Sequence, residues 1–238
     1  MLYDAIVIGS GQAGPFLAAD LANEGQRVAL IEGDKIGGTC VNYGCTPSKT
    51  LISSARAAYV ARQGAHWGVH TGEVKVDFAA VMARVNQRRG DSHNGMDGWM
   101  RSIEALDVYD GYGAFVGRNG NLYQVEVNGQ VLESERVFIN TGARAFVPPI
   151  DGIDTVDYLT NRNIFDLTEL PRHLVILGGG YIGVEFAQAF RRLGAEVTVI
   201  EMLPRLFIRE DEDISALVLE LLEREGVRVL TGAKATQV

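Results

Sequence analysis

Two stretches of the chain repeat one pattern of apolar and polar positions. Residues 4–8, Asp-Ala-Ile-Val-Ile, are apolar after the first, without the polar alternation of a half-exposed strand, and predict a short buried strand. Gly9-Ser10-Gly11-Gln12-Ala13-Gly14 follows, then an apolar helix to about Asn23 that Gly25 ends. Arg27 to Glu32 predicts a second strand, completing a strand, glycine turn, helix, strand unit. The order returns at Leu174–Leu177, Gly178-Gly179-Gly180-Tyr181-Ile182-Gly183, a helix over Val184–Leu193 closed by Gly194, and a strand over Glu196–Glu201. With Gly9 laid on Gly178, eight of the 28 positions from Ala5 to Glu32 are identical, and each copy carries an acidic residue 23 positions after its first glycine. Two copies of one nucleotide-binding unit are the simple reading.

Between the copies, residues 46–62 predict a helix, and Phe78 to about Glu104 a more polar one weakened by Gly90, Gly95 and Gly98. Residues 107–141 read as a strand meander, with strands at 108–109, 113–116, 123–127 and 136–140 and turns at Asn119-Gly120 and Asn128-Gly129. Residues 147–152 read as a linker, residues 214–224 as an amphipathic helix and residues 227–230 as a strand. The fold class expected is α/β, with two Rossmann-like dinucleotide-binding domains at 1–150 and 151–238, the second incomplete.

A glycine turn of this kind has a defined use. Its first glycine makes the tight turn, its second lets backbone amides approach a pyrophosphate, and its third lets the helix pack on the sheet. Gly9, Gly11, Gly14 and Gly178, Gly180, Gly183 fill these places. Glu32 and Glu201 end the second strands, where a carboxylate accepts hydrogen bonds from ribose hydroxyls. Glu32 suits an adenosine ribose without a 2′-phosphate, as in FAD or NAD. Glu201 would repel the 2′-phosphate of NADPH and tilts the second site toward NADH, although Arg205 and Arg209 lie close enough in sequence to reverse the preference.

Composition narrows the partners. The formal net charge of −8 argues against a nucleic-acid ligand. No apolar run approaches the roughly 20 residues of a membrane span, and the N-terminus lacks the basic region of a signal peptide, so a cytoplasmic location is the default. The only cysteines, Cys40 and Cys45, sit five positions apart, a spacing that in a cytosolic protein points to redox or metal chemistry. Pro47 suits the first turn of a helix, which puts Cys45 at a helix N-terminus, where the dipole favours thiolate. The rivals are half a zinc site and a structural disulfide. Zinc wants further ligands, and His66, His70, His93 and His173 show no ligand spacing, so no metal is expected.

The segment Gly37 to Lys49, Gly-Gly-Thr-Cys-Val-Asn-Tyr-Gly-Cys-Thr-Pro-Ser-Lys, resembles that of the class I pyridine nucleotide–disulfide oxidoreductases, which include glutathione reductase, lipoamide dehydrogenase and mercuric reductase. Asn140-Thr141-Gly142-Ala143 is similar to the family motif that closes over FAD. Residues 139–150 and 176–185 are most similar to the mercuric-reductase-like and reactive-chlorine-resistance branch. The resemblance implies an FAD domain carrying the inserted helices and meander, then an NAD(P) domain. It implies that Gly38, Thr39, Thr141 and Gly142 contact the FAD. It also implies that Cys40 is the interchange thiol facing substrate and Cys45 the charge-transfer thiol against the flavin. Lys49 would lie by the flavin paired with Glu185, and Tyr181 would be a lid on the nicotinamide side. Electrons would pass from NAD(P)H through FAD to the Cys40–Cys45 disulfide and on to a small disulfide or similar acceptor. Full members continue into a C-terminal dimerisation domain, so the chain is expected to be the front part of a homodimeric enzyme. A mercuric or other metal-ion reductase, and a non-catalytic nucleotide-binding fragment, are the alternatives.

Overall fold

Ala5–Ile8 forms β1 and Val28–Glu32 forms β2, paired in parallel with Ala5 opposite Val28. Between them α1 runs over Gly14–Asn23. The computed structural model describes residues 1–238, and they divide into two compact units: Met1–Pro47 with Asn86–Ala145, and Ser48–Val85 with Phe146–Val238. In the first unit Gly38–Tyr43 forms the short helix α2. Two longer helices, α3 (Cys45–Arg62) and α4 (Phe78–Arg101), have residues in both units.

The first unit is built on a parallel sheet whose strand order is β3-β2-β1-β7, where β3 is Leu106–Asp110 and β7 is Val137–Ile139. The absence of polar alternation in β1 and β2 now has its reason, because both faces are covered. Ala5, Val7, Val28 and Leu30 pack on Ala18, Ala19 and Ala22 of α1. On the other face Ile6, Ile8, Ala29 and Ile31 pack on Val125, Val127 and Leu132. Those three belong to an antiparallel sheet of β4 (Ala114–Asn119), β5 (Leu122–Val127) and β6 (Gln130–Ser134).

The expectation of one meander over 107–141 is corrected here. Only β4, β5 and β6 form it, and the outer strands β3 and β7 join the parallel sheet. Strand β6 did not stand out because Gln130-Val131-Leu132-Glu133-Ser134 offers little apolar pattern; its register with β5, Leu132 opposite Val125, is fixed by the preceding turn. That turn is Asn128-Gly129, with φ of 52° and 78°, the left-handed pair of a tight hairpin.

The second unit holds the parallel sheet β10-β9-β8, with β8 at His173–Leu177, β9 at Glu196–Glu201 and β10 at Arg228–Thr231. Helix α5 (Tyr181–Leu193) begins three residues before its expected start, immediately on the glycine turn, and α6 covers Glu212–Arg224. Phe186, Phe190, Leu193, Val197, Val199 and Leu222 form the core with Leu51 of α3 and Phe78, Met82 and Val85 of α4. Helix α4 is continuous despite three glycines, because the buried residues that anchor it lie outside the Gly90–Gly98 stretch, at Phe78–Val85 and at Met100. The expected linker is tied down at Asp151, which bridges to Gln237 and accepts the Val238 N–H at 2.9 Å. No helix is long and apolar enough to cross a membrane.

Phe190 is fully buried, whereas Phe146 is 83% exposed. Phe190→Ala should destabilise the fold by about 3–5 kcal/mol, and Phe146→Ala by no more than about 0.5 kcal/mol. Urea unfolding of the two variants checks the contrast.

Candidate active site

The first glycine turn is a place where backbone touches backbone. A Cβ on Gly9 would fall 2.2 Å from the Asn140 carbonyl oxygen, and Gly9 has a φ of +101° that side chains rarely adopt. A Cβ on Gly14 would fall 2.1 Å from the Gly9 oxygen, so α1 can meet the sheet only through glycine. Gly11 sits against the Asn140 side chain, which also donates to the Gly9 oxygen at 3.3 Å. Thr141 and Gly142 lie just beyond β7, after Asn140, with the Thr141 nitrogen beside Gly9, and both residues are exposed. Glu32, at the end of β2, accepts the Ser10 N–H at 2.8 Å, the Ser10 hydroxyl at 2.5 Å and the Asp34 N–H at 2.8 Å. The carboxylate is therefore held at the lip of the turn, half-buried, with lone-pair capacity left for a ribose.

The second turn repeats the backbone part of this arrangement. The Gly178 N–H donates to Ile200 at 2.8 Å as Gly9 donates to Ile31 at 2.7 Å. A Cβ on Gly183 would fall 2.1 Å from the Gly178 oxygen. Glu201 is buried and accepts the Gly179 N–H at 2.6 Å and the Leu203 N–H at 2.8 Å. Space beside Gly178 and Gly180 is open, so a phosphate group can approach the N-terminus of the 13-residue α5. Both turns thus fit a dinucleotide.

Sequence reasoning missed what holds Tyr181. Its ring stacks on Phe207, with centroids 5.0 Å apart and planes at 26°, and its hydroxyl donates to Glu210. That bond raises the phenol's pKa, with a smaller contribution from burial. Phe207 has a φ of +47°, and its N–H donates to the Gly179 oxygen at 3.1 Å. Arg205 donates to the Glu210 carbonyl at 2.8 Å, so its guanidinium braces this loop, while Arg209 is exposed. Nothing in the local sequence marked Glu210, because it is 29 residues from its partner.

The cysteine segment leaves the first turn through Gly38. A Cβ on Gly38 would fall 2.7 Å from the Gly11 Cα, and Gly38 has φ +57°, so α2 starts against the turn. Thr39 is exposed beside it. Asn42, buried and also missed, donates to the Ile36 and Gly38 carbonyls at 3.0 Å and so locks the loop that leads into α2. Gly44 then folds the chain back: a Cβ there would fall 2.9 Å from the Thr39 oxygen. Cys40 is half-buried on α2 and Cys45 is the exposed first residue of α3; both are free thiols. Burial pushes the Cys40 thiol up to about 11, helped by hydrogen bonding to the Cys45 thiol and repulsion from it. The Cys45 backbone N–H pulls the other way.

Lys49 and Glu185 form an ion pair with side chains 61% and 40% exposed. At that exposure the pair contributes about 0–1 kcal/mol. It lines a small cavity of about 240 Å³ with Gln188 and Arg192. His93 Nδ1 lies 3.0 Å from the Ile36 carbonyl, and His173 Nε2 lies 2.9 Å from the Thr198 hydroxyl. No group of three or more metal-ligating side chains is gathered anywhere.

Residues 3–238 match the sequence profile of the family described as pyridine nucleotide-disulphide oxidoreductase. A mercuric reductase of Bacillus cereus is 37% identical over 238 residues, which is 99% of this chain and 37% of that protein. A dihydrolipoyl dehydrogenase of Acholeplasma laidlawii is 35% identical over 99% of this chain and 70% of its own. The solved structure of the HOCl-induced flavoprotein disulfide reductase RclA from Escherichia coli is similar with a TM-score of 0.86 at 37% identity, over 99% of this chain and 50% of that one. The chain thus spans about half the length of several of the proteins it matches.

Two outcomes follow from the electrostatics. Glu210→Gln should lower the Tyr181 phenol pKa, seen as the component of an ultraviolet pH titration that Tyr181→Phe removes. Cys45→Ala removes two of the three causes that raise Cys40, so the midpoint for Cys40 alkylation in reduced protein should fall below about 11. An unmoved midpoint would mean the two thiols do not interact.

Proposed function

The chain belongs to the pyridine nucleotide-disulphide oxidoreductase family, and from that premise we propose an FAD-dependent, NAD(P)H-driven oxidoreductase whose Cys40–Cys45 pair delivers electrons to a disulfide or similar small acceptor. The observation that carries this is the path from Gly11 through Gly38 to Cys40 and Cys45, which joins a dinucleotide turn to an interacting thiol pair. Residues 1–150 are assigned to FAD, through Gly9, Gly11, Gly14, Glu32, Gly38, Thr39, Thr141 and Gly142. Residues 151–238 are assigned to the nicotinamide dinucleotide, through Gly178, Gly180, Gly183 and Glu201. FAD, when bound, supplies two-electron transfer between the nicotinamide and the sulfurs.

The protein's own groups do the rest. Cys40, as thiolate, attacks one sulfur of the acceptor disulfide and expels the other as a thiolate. Cys45 then attacks Cys40, releasing the second acceptor thiol and closing the Cys40–Cys45 disulfide, so two electrons have moved to the acceptor. The raised pKa of Cys40 means that a base must take its proton first. Lys49, held by Glu185, is assigned to stabilise negative charge beside the cofactor, and Tyr181 to cover the nicotinamide side. We favour NADH because the buried Glu201 carboxylate opposes a 2′-phosphate while Arg205 is engaged with the 205–210 loop. A cytoplasmic homodimer is the form we assign to the complete enzyme.

With FAD bound, Cys45→Ser should lose the long-wavelength charge-transfer absorbance of the reduced protein while retaining the cofactor. Cys40→Ser should keep that absorbance and lose disulfide turnover. Turnover retained in Cys40→Ser would contradict the assignment of the interchange thiol.

A further inference from the structure

Three helices of the second unit end in arginine, away from the glycine turns and the cysteines. Arg62 lies in the last turn of α3, Arg191 and Arg192 in that of α5, and Arg224 in that of α6. All four line one cavity of about 540 Å³, whose single carboxylate is Glu225. Cations are expected at helix C-termini, where each end carries about half a negative charge. Among the lining groups, three ends and Glu225 supply about −2.5 against four guanidinium charges, an excess of about +1.5 that the exposed Glu220, 4.0 Å from Arg224, reduces. Complementing the helix ends therefore accounts for only part of the cluster.

Two of the arginines form a fixed floor. Arg192 grips both oxygens of the buried Glu225, at 2.7 and 2.6 Å, and lies 4.3 Å over the Tyr59 ring. Gln188 also donates to Glu225, at 3.0 Å, which further commits that carboxylate. Arg191 donates to the Glu225 carbonyl at 3.0 Å and the Ala195 carbonyl at 3.2 Å. The other two arginines keep most of their donors. Arg62 is exposed and gives one N–H to the Arg192 carbonyl. Arg224 is 68% exposed and reaches Glu220 only at 4.0 Å. A hydrogen-bonded cationic floor below two exposed guanidinium forks suits an anionic ligand that only accepts hydrogen bonds.

We propose that this cavity is a binding site for the phosphate or pyrophosphate group of a small ligand, separate from both dinucleotide turns. The test is calorimetric titration of the full chain with inorganic phosphate and with pyrophosphate at fixed ionic strength. It compares the wild type, Arg224→Ala and Arg62→Ala/Arg224→Ala. Pyrophosphate affinity should fall about threefold or more in the single variant and about tenfold or more in the double variant, with NADH affinity unchanged because the glycine turns are untouched. Binding of both probes would indicate a phosphomonoester-sized subsite, and binding of pyrophosphate alone a diphosphate. Absence of binding to the wild type, or equal pyrophosphate affinity in all three proteins, would overturn the proposal. Arg224 is exposed at a helix end, so the single variant keeps the test valid even if the double variant folds poorly.

Discussion

Backbone lying directly on backbone is the constraint from which the functional geometry follows. Gly14 meets the Gly9 oxygen, Gly183 meets the Gly178 oxygen, and Gly38 meets the Gly11 Cα, each at a distance that a single methyl group would violate. Only this closeness lets a helix start on the sheet edge with its amides open to a phosphate. It also leaves the strand-end carboxylates Glu32 and Glu201 near enough to accept a turn N–H. In the first unit the third such contact starts the cysteine segment beside the turn. A cysteine segment next to a dinucleotide-type turn is thus a consequence of glycine packing rather than of long-range side-chain contacts.

Polar interactions at the site set chemistry more than stability. The exposed Lys49–Glu185 pair holds the fold only weakly, whereas the apolar core around Phe190 carries the second unit. The Cys40 thiol is raised mainly by burial, so its reactivity depends on what removes its proton. The bond from Tyr181 to Glu210 and the stack on Phe207 orient an exposed aromatic at the mouth of the second turn without burying it.

What could be read from the sequence was whatever rests on local pattern. The two repeated units, their glycines and carboxylates, the Asn128-Gly129 hairpin and α3 behind the cysteines all follow from periodicity or from positions that only glycine tolerates. The misreadings involve partners distant in sequence. Strands β3 and β7 look like meander strands until their pairing with β2 and β1, across 78 and 131 residues, is seen. The setting of Tyr181 depends on Phe207 and Glu210, far along the chain, whereas the partners of buried Asn42 are close in sequence and meet it only once the loop before α2 has closed.

Electron uptake tests the central claim most directly. Oxidised, FAD-loaded protein titrated anaerobically with dithionite should accept about four electrons per chain, two on the cofactor and two on the Cys40–Cys45 pair. Uptake of only about two electrons, unchanged in Cys40→Ser/Cys45→Ser, would show that the pair takes no part and would contradict the account.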